Sequence, residues 1–128
     1  MYREILFRGK SINKGKWLYG NIQIPKPPHN KYYMWDKGWQ TQIDENTVGQ
    51  YTGLKDKNGR KIFEGDILDY TIFDIFCEDH QYKGVVRWAD DCFICDSSDG
   101  ANGLAYVVKS SIEFKVIGNK FDNPKLIE

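Results

Sequence analysis

The chain has 128 residues, 41% of them hydrophobic and 15% aromatic, and its 18 Lys+Arg balance 18 Asp+Glu. That much apolar content at zero net charge excludes a disordered chain, and the length suits a single domain over residues 1–128 that needs no disulfide or metal to fold. No stretch free of Asp, Glu, Lys and Arg exceeds nine residues, against the ~20 apolar residues of a spanning helix, so no membrane partner is expected. Arg3, Glu4 and Arg8 interrupt any apolar opening segment, so no secretory signal is expected. Three cysteines, an odd number, suggest reduced thiols in a bacterial cytoplasm.

Helical periodicity is scarce, and apolar residues recur at period two or in short runs broken by Gly, Pro, Asn and Asp. The first run, Glu4-Ile5-Leu6-Phe7, is closed by Arg8-Gly9. A second spans Trp17 to Ile24, with Ile22 and Ile24 on one face, and Pro25, Pro27 and Pro28 stop it by removing backbone donors. Lys26 to Gln40 reads as a long connection carrying Tyr32, Tyr33, Trp35 and Trp39. Asp44-Glu45-Asn46 opens a short helix at most, because Gly49 and Gly53 follow. Asp56-Lys57-Asn58-Gly59-Arg60 is the clearest local signal: Asn-Gly accepts the left-handed backbone of a tight hairpin, folding Thr52-Gly53-Leu54 back onto Ile62-Phe63. Further strands are expected at 66–73, 84–88, 92–96, 104–108 and 112–117, with 100–103 as a loop and 122–124 as a turn. Ser110-Ser111-Ile112-Glu113 has capping-box spacing, but Val116, Ile117 and Gly118-Asn119 favour a strand. The expected fold is therefore mainly β, a compact, partly open barrel of SH3-like character with hairpins and few short helices.

Charge is segregated. Residues 1–39 hold eight Lys+Arg and two Asp+Glu, an excess of +6, whereas residues 64–99 hold two and ten, an excess of −8. Both sets can be solvated faces, or neutralise each other within one monomer, since exposed pairs are common and individually weak. They also suit a homo-oligomer in which basic and acidic patches meet between subunits. A third reading gives Arg3, Arg8, Lys10, Lys14 and Lys16, beside Trp17 and Tyr19, to nucleic-acid phosphates and bases. Trp35 and Trp39 extend that candidate binding set as a stacking or interface patch, although rings in a long connection more often pack it down.

Two constellations bear on metal chemistry. Cys77 and His80, followed by Cys92 and Cys95, have the layout of a structural zinc site. A strand through 92–95 would point Cys92 and Cys95 to opposite faces, which argues against it. Asp56, Glu64 and Asp66 could gather carboxylates for a divalent ion, but carboxylates flanking a glycine at a strand start more commonly accept backbone amides. Gly9-Lys10-Ser11 is not a phosphate-binding loop, because the required earlier glycine is Glu4. No cofactor is expected, and no catalytic residues are assigned.

The ordered motifs Phe7-Arg8-Gly9-Lys10, Trp17-Leu18-Tyr19-Gly20, Val48 to Leu54, Asp56-Lys57-Asn58-Gly59, Ile62 to Ile67, Val116-Ile117-Gly118-Asn119 and Asn123-Pro124-Lys125-Leu126 resemble the YopX family of phage and prophage proteins. The resemblance implies a small β-rich cytoplasmic protein of a bacterial host that tends to form homo-oligomers, and it implies no established activity. Within these motifs, Gly53, Asp56, Asn58, Gly59, Glu64, Gly65, Asp66, Gly118 and Asn119 are read as structural, serving bends. The leading expectation is a non-enzymatic accessory protein that binds itself or a host or phage protein. The alternatives are a nucleic-acid binder using the basic N-terminal third and a divalent-metal hydrolase at Asp56, Glu64 and Asp66.

Overall fold

A computed structural model describes residues 4–73 and 79–127. The chain is mainly β, and its contacts fall into two compact units, Met1–Tyr51 and Thr52–Glu128.

In the first unit, β1 (Phe7–Lys10) and β2 (Trp17–Gly20) pair antiparallel, as do β3 (Tyr32–Asp36) and β4 (Trp39–Ile43). A 3-10 turn at Glu45–Thr47 follows, capped by the Asp44 carboxylate, which accepts from Asn46 N at 3.1 Å. The opening residues of β5 (Gly49–Lys55) then pair with β1. Leu18, Met34 and Ile43 form the core of this unit, with Ile22, Tyr32 and Val48 packed around them. Gly9 sits opposite Leu18 on the core side of β1, where a Cβ would overlap the Ile43 side chain. Three expectations are corrected here. Arg8 and Gly9 lie inside the first strand and do not close it. The second strand ends at Gly20, and Ile24 is exposed. Most of the supposed connection from Lys26 to Gln40 is the β3–β4 hairpin, because Met34 and Ile43 supply a buried face.

In the second unit the rest of β5 turns back through Asn58-Gly59 into β6 (Lys61–Phe63), as the Asn-Gly signal predicts. Thr52 Oγ1 donates to Ile62 O at 2.8 Å across that hairpin. A five-stranded sheet follows, built from β7 (Asp66–Phe73), β8 (Asp79–Ala89), β9 (Cys92–Ser97), β10 (Gly100–Gly103) and β11 (Ser111–Asn119), in the order β10-β9-β8-β7-β11. The sheet is antiparallel and open, and no closed barrel is formed among the described residues. Two register shifts, between Ser111 and Glu113 and between Val116 and Gly118, bend β11 along β7.

Two segments depart from the expected elements. Residues 104–108 belong to a helix, α1 (Leu104–Ser110), and not to a strand. Leu104 and Val107 stand one turn apart and are almost wholly buried, so burial on the sheet overrides the strand preference of the adjacent valines. Residues 100–103 form β10 and not a loop: Ser98-Asp99 makes the turn, and Ser97 Oγ donates to Gly100 O at 2.8 Å. The core joins Ile62, Leu68, Tyr70, Ile72, Val86 and Cys95 of the strands to Leu104 and Val107 of α1 and to Phe114 and Val116 of β11. Tyr70 stacks on Tyr82, with ring centroids 5.3 Å apart.

Candidate functional site

The glycine-centred motifs hold bends together. Asp56 is buried, and its Oδ1 accepts from Asn58 N and Arg60 N, both at 2.9 Å, while Oδ2 accepts from Val116 N at 3.0 Å. Gly59 has φ +82°, which the turn needs and which side-chain-bearing residues rarely adopt. Asp66 is 1% exposed and accepts from Phe63 N at 2.8 Å, across the Glu64-Gly65 turn. Gly65 N donates to Val86 O and Gly65 O accepts from Lys120 N, so that turn is tied to β8 and to the end of β11. Asn119 Oδ1 accepts from Phe121 N and Asp122 N, while Asn123 Oδ1 accepts from Asn119 N and fills the space beside Gly118. Gly53 has positive φ within β5.

The carboxylates of Asp56 and Asp66 are thus turned to backbone amides in separate bends. Among the described residues no group of three or more His, Cys, Asp and Glu is placed to hold a metal ion. Cys77 lies outside the described residues, as does Arg3. His80 and Cys92 are exposed on β8 and β9, whereas Cys95 is fully buried. Alternation along β9 separates the two cysteines, as the strand reading required. Burial pushes the Cys95 thiol up to about 12 and raises the neighbouring Tyr70 hydroxyl as well, so both stay protonated at neutral pH.

The basic and aromatic candidates of the first unit divide into two groups. On the β1–β2 hairpin, Arg8 lies opposite Tyr19 and Lys10 opposite Trp17. Directly opposed residues share a face, so all four stand on the side away from Gly9 and Leu18. The Arg8 guanidinium lies 4.7 Å from the Trp17 ring centroid and the Lys10 ammonium 5.6 Å, both within cation–π range. Arg8 is buried, while Tyr19 is 55% exposed.

The second group surrounds a cleft of about 570 Å³ between the β1–β2 connection and the tip of the β3–β4 hairpin, lined by Ile12, Lys14, Lys16, Asp36, Lys37 and Trp39 among others. The connection is fixed: Ser11 N donates to Lys16 O, Lys16 N to Ser11 Oγ, and Ile12 N to Gln42 O. Lys16 Nζ lies 3.4 Å from Asp36 and joins the two walls. Pairing in β3–β4 puts Tyr33 and Trp35 on one face with Gln40 and Gln42, and Tyr32 and Met34 on the other with Trp39 and Ile43. Trp35 and Trp39 therefore form no common platform. Lys37, Asn13, Gln40 and Gln42, which also line the cleft, escaped the sequence reading. The missed signal was Lys37-Gly38, a two-residue hairpin turn lacking the usual Asn.

The family model described as YopX protein matches residues 6–128. No curated protein matches the chain. Among solved structures, the chain is similar to protein EF1440 from Enterococcus faecalis, at 24% identity and a TM-score of 0.61, over 99% of this chain and 100% of that one. At that identity the likeness establishes the fold alone. No helix among the described residues is long and apolar enough to cross a membrane. With a family match running from Leu6 to Glu128 and the motif residues placed at the bends that join its strands, the chain belongs to the YopX family.

Proposed function

We propose that this is a non-enzymatic accessory protein of phage or prophage origin that acts by binding in the cytoplasm of a bacterial host, with other copies of itself as its first partner. The observation that carries the reading is the division of charge between the two units. The first holds eight basic and four acidic residues, and the second holds ten basic and fourteen acidic. Opposite excesses on separate units favour head-to-tail association between copies, with attraction that steers encounter and weakens with salt. On the basic side, the face carrying Lys10, Trp17 and Tyr19 offers both charge and ring area, the composition of interface anchors. On the acidic side, Asp90, Asp91 and Asp99 are exposed at the turns flanking β9.

Sedimentation velocity tests this across protein concentration at low and high salt. An assembly that dissociates as salt rises, and that Lys10→Glu with Tyr19→Asp weakens, supports the reading. A monomer at tens of micromolar in low salt removes it.

A further inference from the structure

We propose that the cleft between the β1–β2 connection and the β3–β4 tip binds a nucleotide unit, an anionic phosphate joined to a planar base. The inference goes beyond self-association and does not use the Lys10–Trp17–Tyr19 face. Three features of the cleft carry it.

The first is charge. Lys14, Lys16 and Lys37 line the cleft, and Asp36 is its sole acidic residue. Asp36 is engaged by Lys16, which leaves Lys14 and Lys37 as a surplus of positive charge on opposite walls. A mobile polyanion, or a single phosphate, is the complementary ligand.

The second is Trp39. It is 78% exposed, more than any other large apolar side chain among the described residues, and it starts a strand whose backbone is paired. An exposed indole beside lysines is a stacking surface for a base, since every base offers a π-face. Asn13 on the opposite wall adds a carboxamide, which can both donate to and accept from a base edge. An acidic peptide would satisfy the lysines but leave the indole without a planar partner.

The third is backbone conformation. Lys37 has φ +51° in the two-residue turn that closes β3–β4, a conformation normally left to Gly or Asn. The chain thus keeps a long cation at a turn position where an uncharged residue would fit with less strain. The cleft volume lies within the range of small-ligand sites, which suits one or two nucleotides.

The probes are fluorescein-labelled oligodeoxythymidine and free AMP, titrated into the intact protein at low salt with anisotropy and calorimetric readouts. Binding that weakens steeply with salt is expected, falling about tenfold or more in Trp39→Ala and in the double variant Lys14→Glu/Lys37→Glu. Lys109→Glu/Lys120→Glu, the same charge change in the second unit, is the control and is expected to change affinity by less than about threefold. Thermal melts of each variant confirm folding, which the exposure of Trp39 makes safe. Binding of AMP as well as oligonucleotide identifies a free-nucleotide site, and binding of oligonucleotide alone identifies a strand site. The proposal is overturned if neither probe binds, if the Trp39 and lysine variants bind as well as the parent, or if polyglutamate of equal charge displaces the oligonucleotide equally well.

Discussion

Asp56→Ala is the substitution with the largest consequence that can be worked out from the structure. The carboxylate is 6% exposed and accepts three backbone N–H groups, two in the β5–β6 turn and one, Val116 N, in β11. Alanine leaves all three without their acceptor. The Val116 amide is buried, and orphaning such a donor costs about 1–3 kcal/mol. The Asn58 and Arg60 amides are part-buried and recover some hydration, so each loss is about 1 kcal/mol. The sum is ~3–5 kcal/mol, a large share of the ~5–15 kcal/mol that holds a typical domain folded. For a domain of this size that corresponds to roughly a 12–20 °C fall in melting temperature. Asparagine refines the test: its single oxygen serves either the turn amides or Val116, and its NH2 opposes the other side, so a loss of about 1–3 kcal/mol is expected. Urea unfolding followed by far-UV circular dichroism measures both variants. If Asp56→Ala lies within about 0.5 kcal/mol of the parent with an unchanged slope, the bend does not depend on this carboxylate and the reasoning fails.

Gly59→Ala places a side chain at φ +82° and should cost about 1–2 kcal/mol in the same assay. Gly9→Ala drives a methyl group into Ile43 and should cost about 1–3 kcal/mol, read by the fluorescence of Trp17, Trp35 and Trp39. The Cys95 thiol rises from its ordinary 9.0 to about 12 in the folded protein because it is buried. Between those values the unfolded chain loses a proton that the folded chain keeps, so stability is full below pH 9 and falls toward pH 12. The slope is about 1.4 kcal/mol per pH unit, Tyr70 adds to it in the same direction, and Cys95→Ala should flatten it in chemical denaturation across that window. A thiol reagent with peptide mapping should label exposed Cys92 well before buried Cys95, and equal rates would contradict their separation across β9.

How far the sequence could be read depended on whether the information was local. The Asn58-Gly59 turn and β7 were legible because turn chemistry and a dense apolar run act within a few residues. The β3–β4 hairpin was hidden because its turn is Lys37-Gly38 and its exposed rings mask the alternation that buries Met34 and Ile43. In α1 only Leu104 and Val107 mark the buried stripe, too short a signal to outweigh two valines until the sheet beneath is known. β10 has no side-chain pattern at all and is a strand because β9 offers it a ladder. Of the candidate site, Lys14, Lys16 and Trp39 were nameable and Lys37 was not, and their gathering into one cleft required the pairing of β3 with β4.

The Asp56 bend has a second effect, at the border of the five-stranded sheet. β11 is an outermost strand, and such strands invite other chains to extend the ladder. Here the vacant side is already occupied: Val116 N meets Asp56, Phe114 O accepts from Lys57 N, and Ile112 O accepts from Lys57 Nζ. The β5–β6 turn therefore works as a selvedge, a finished margin that keeps the weave from being continued by a stranger. The opposite margin, β10, is four residues long and half glycine. Of the two margins of this sheet, the β11 side is thus closed to an added strand by the chain's own turn.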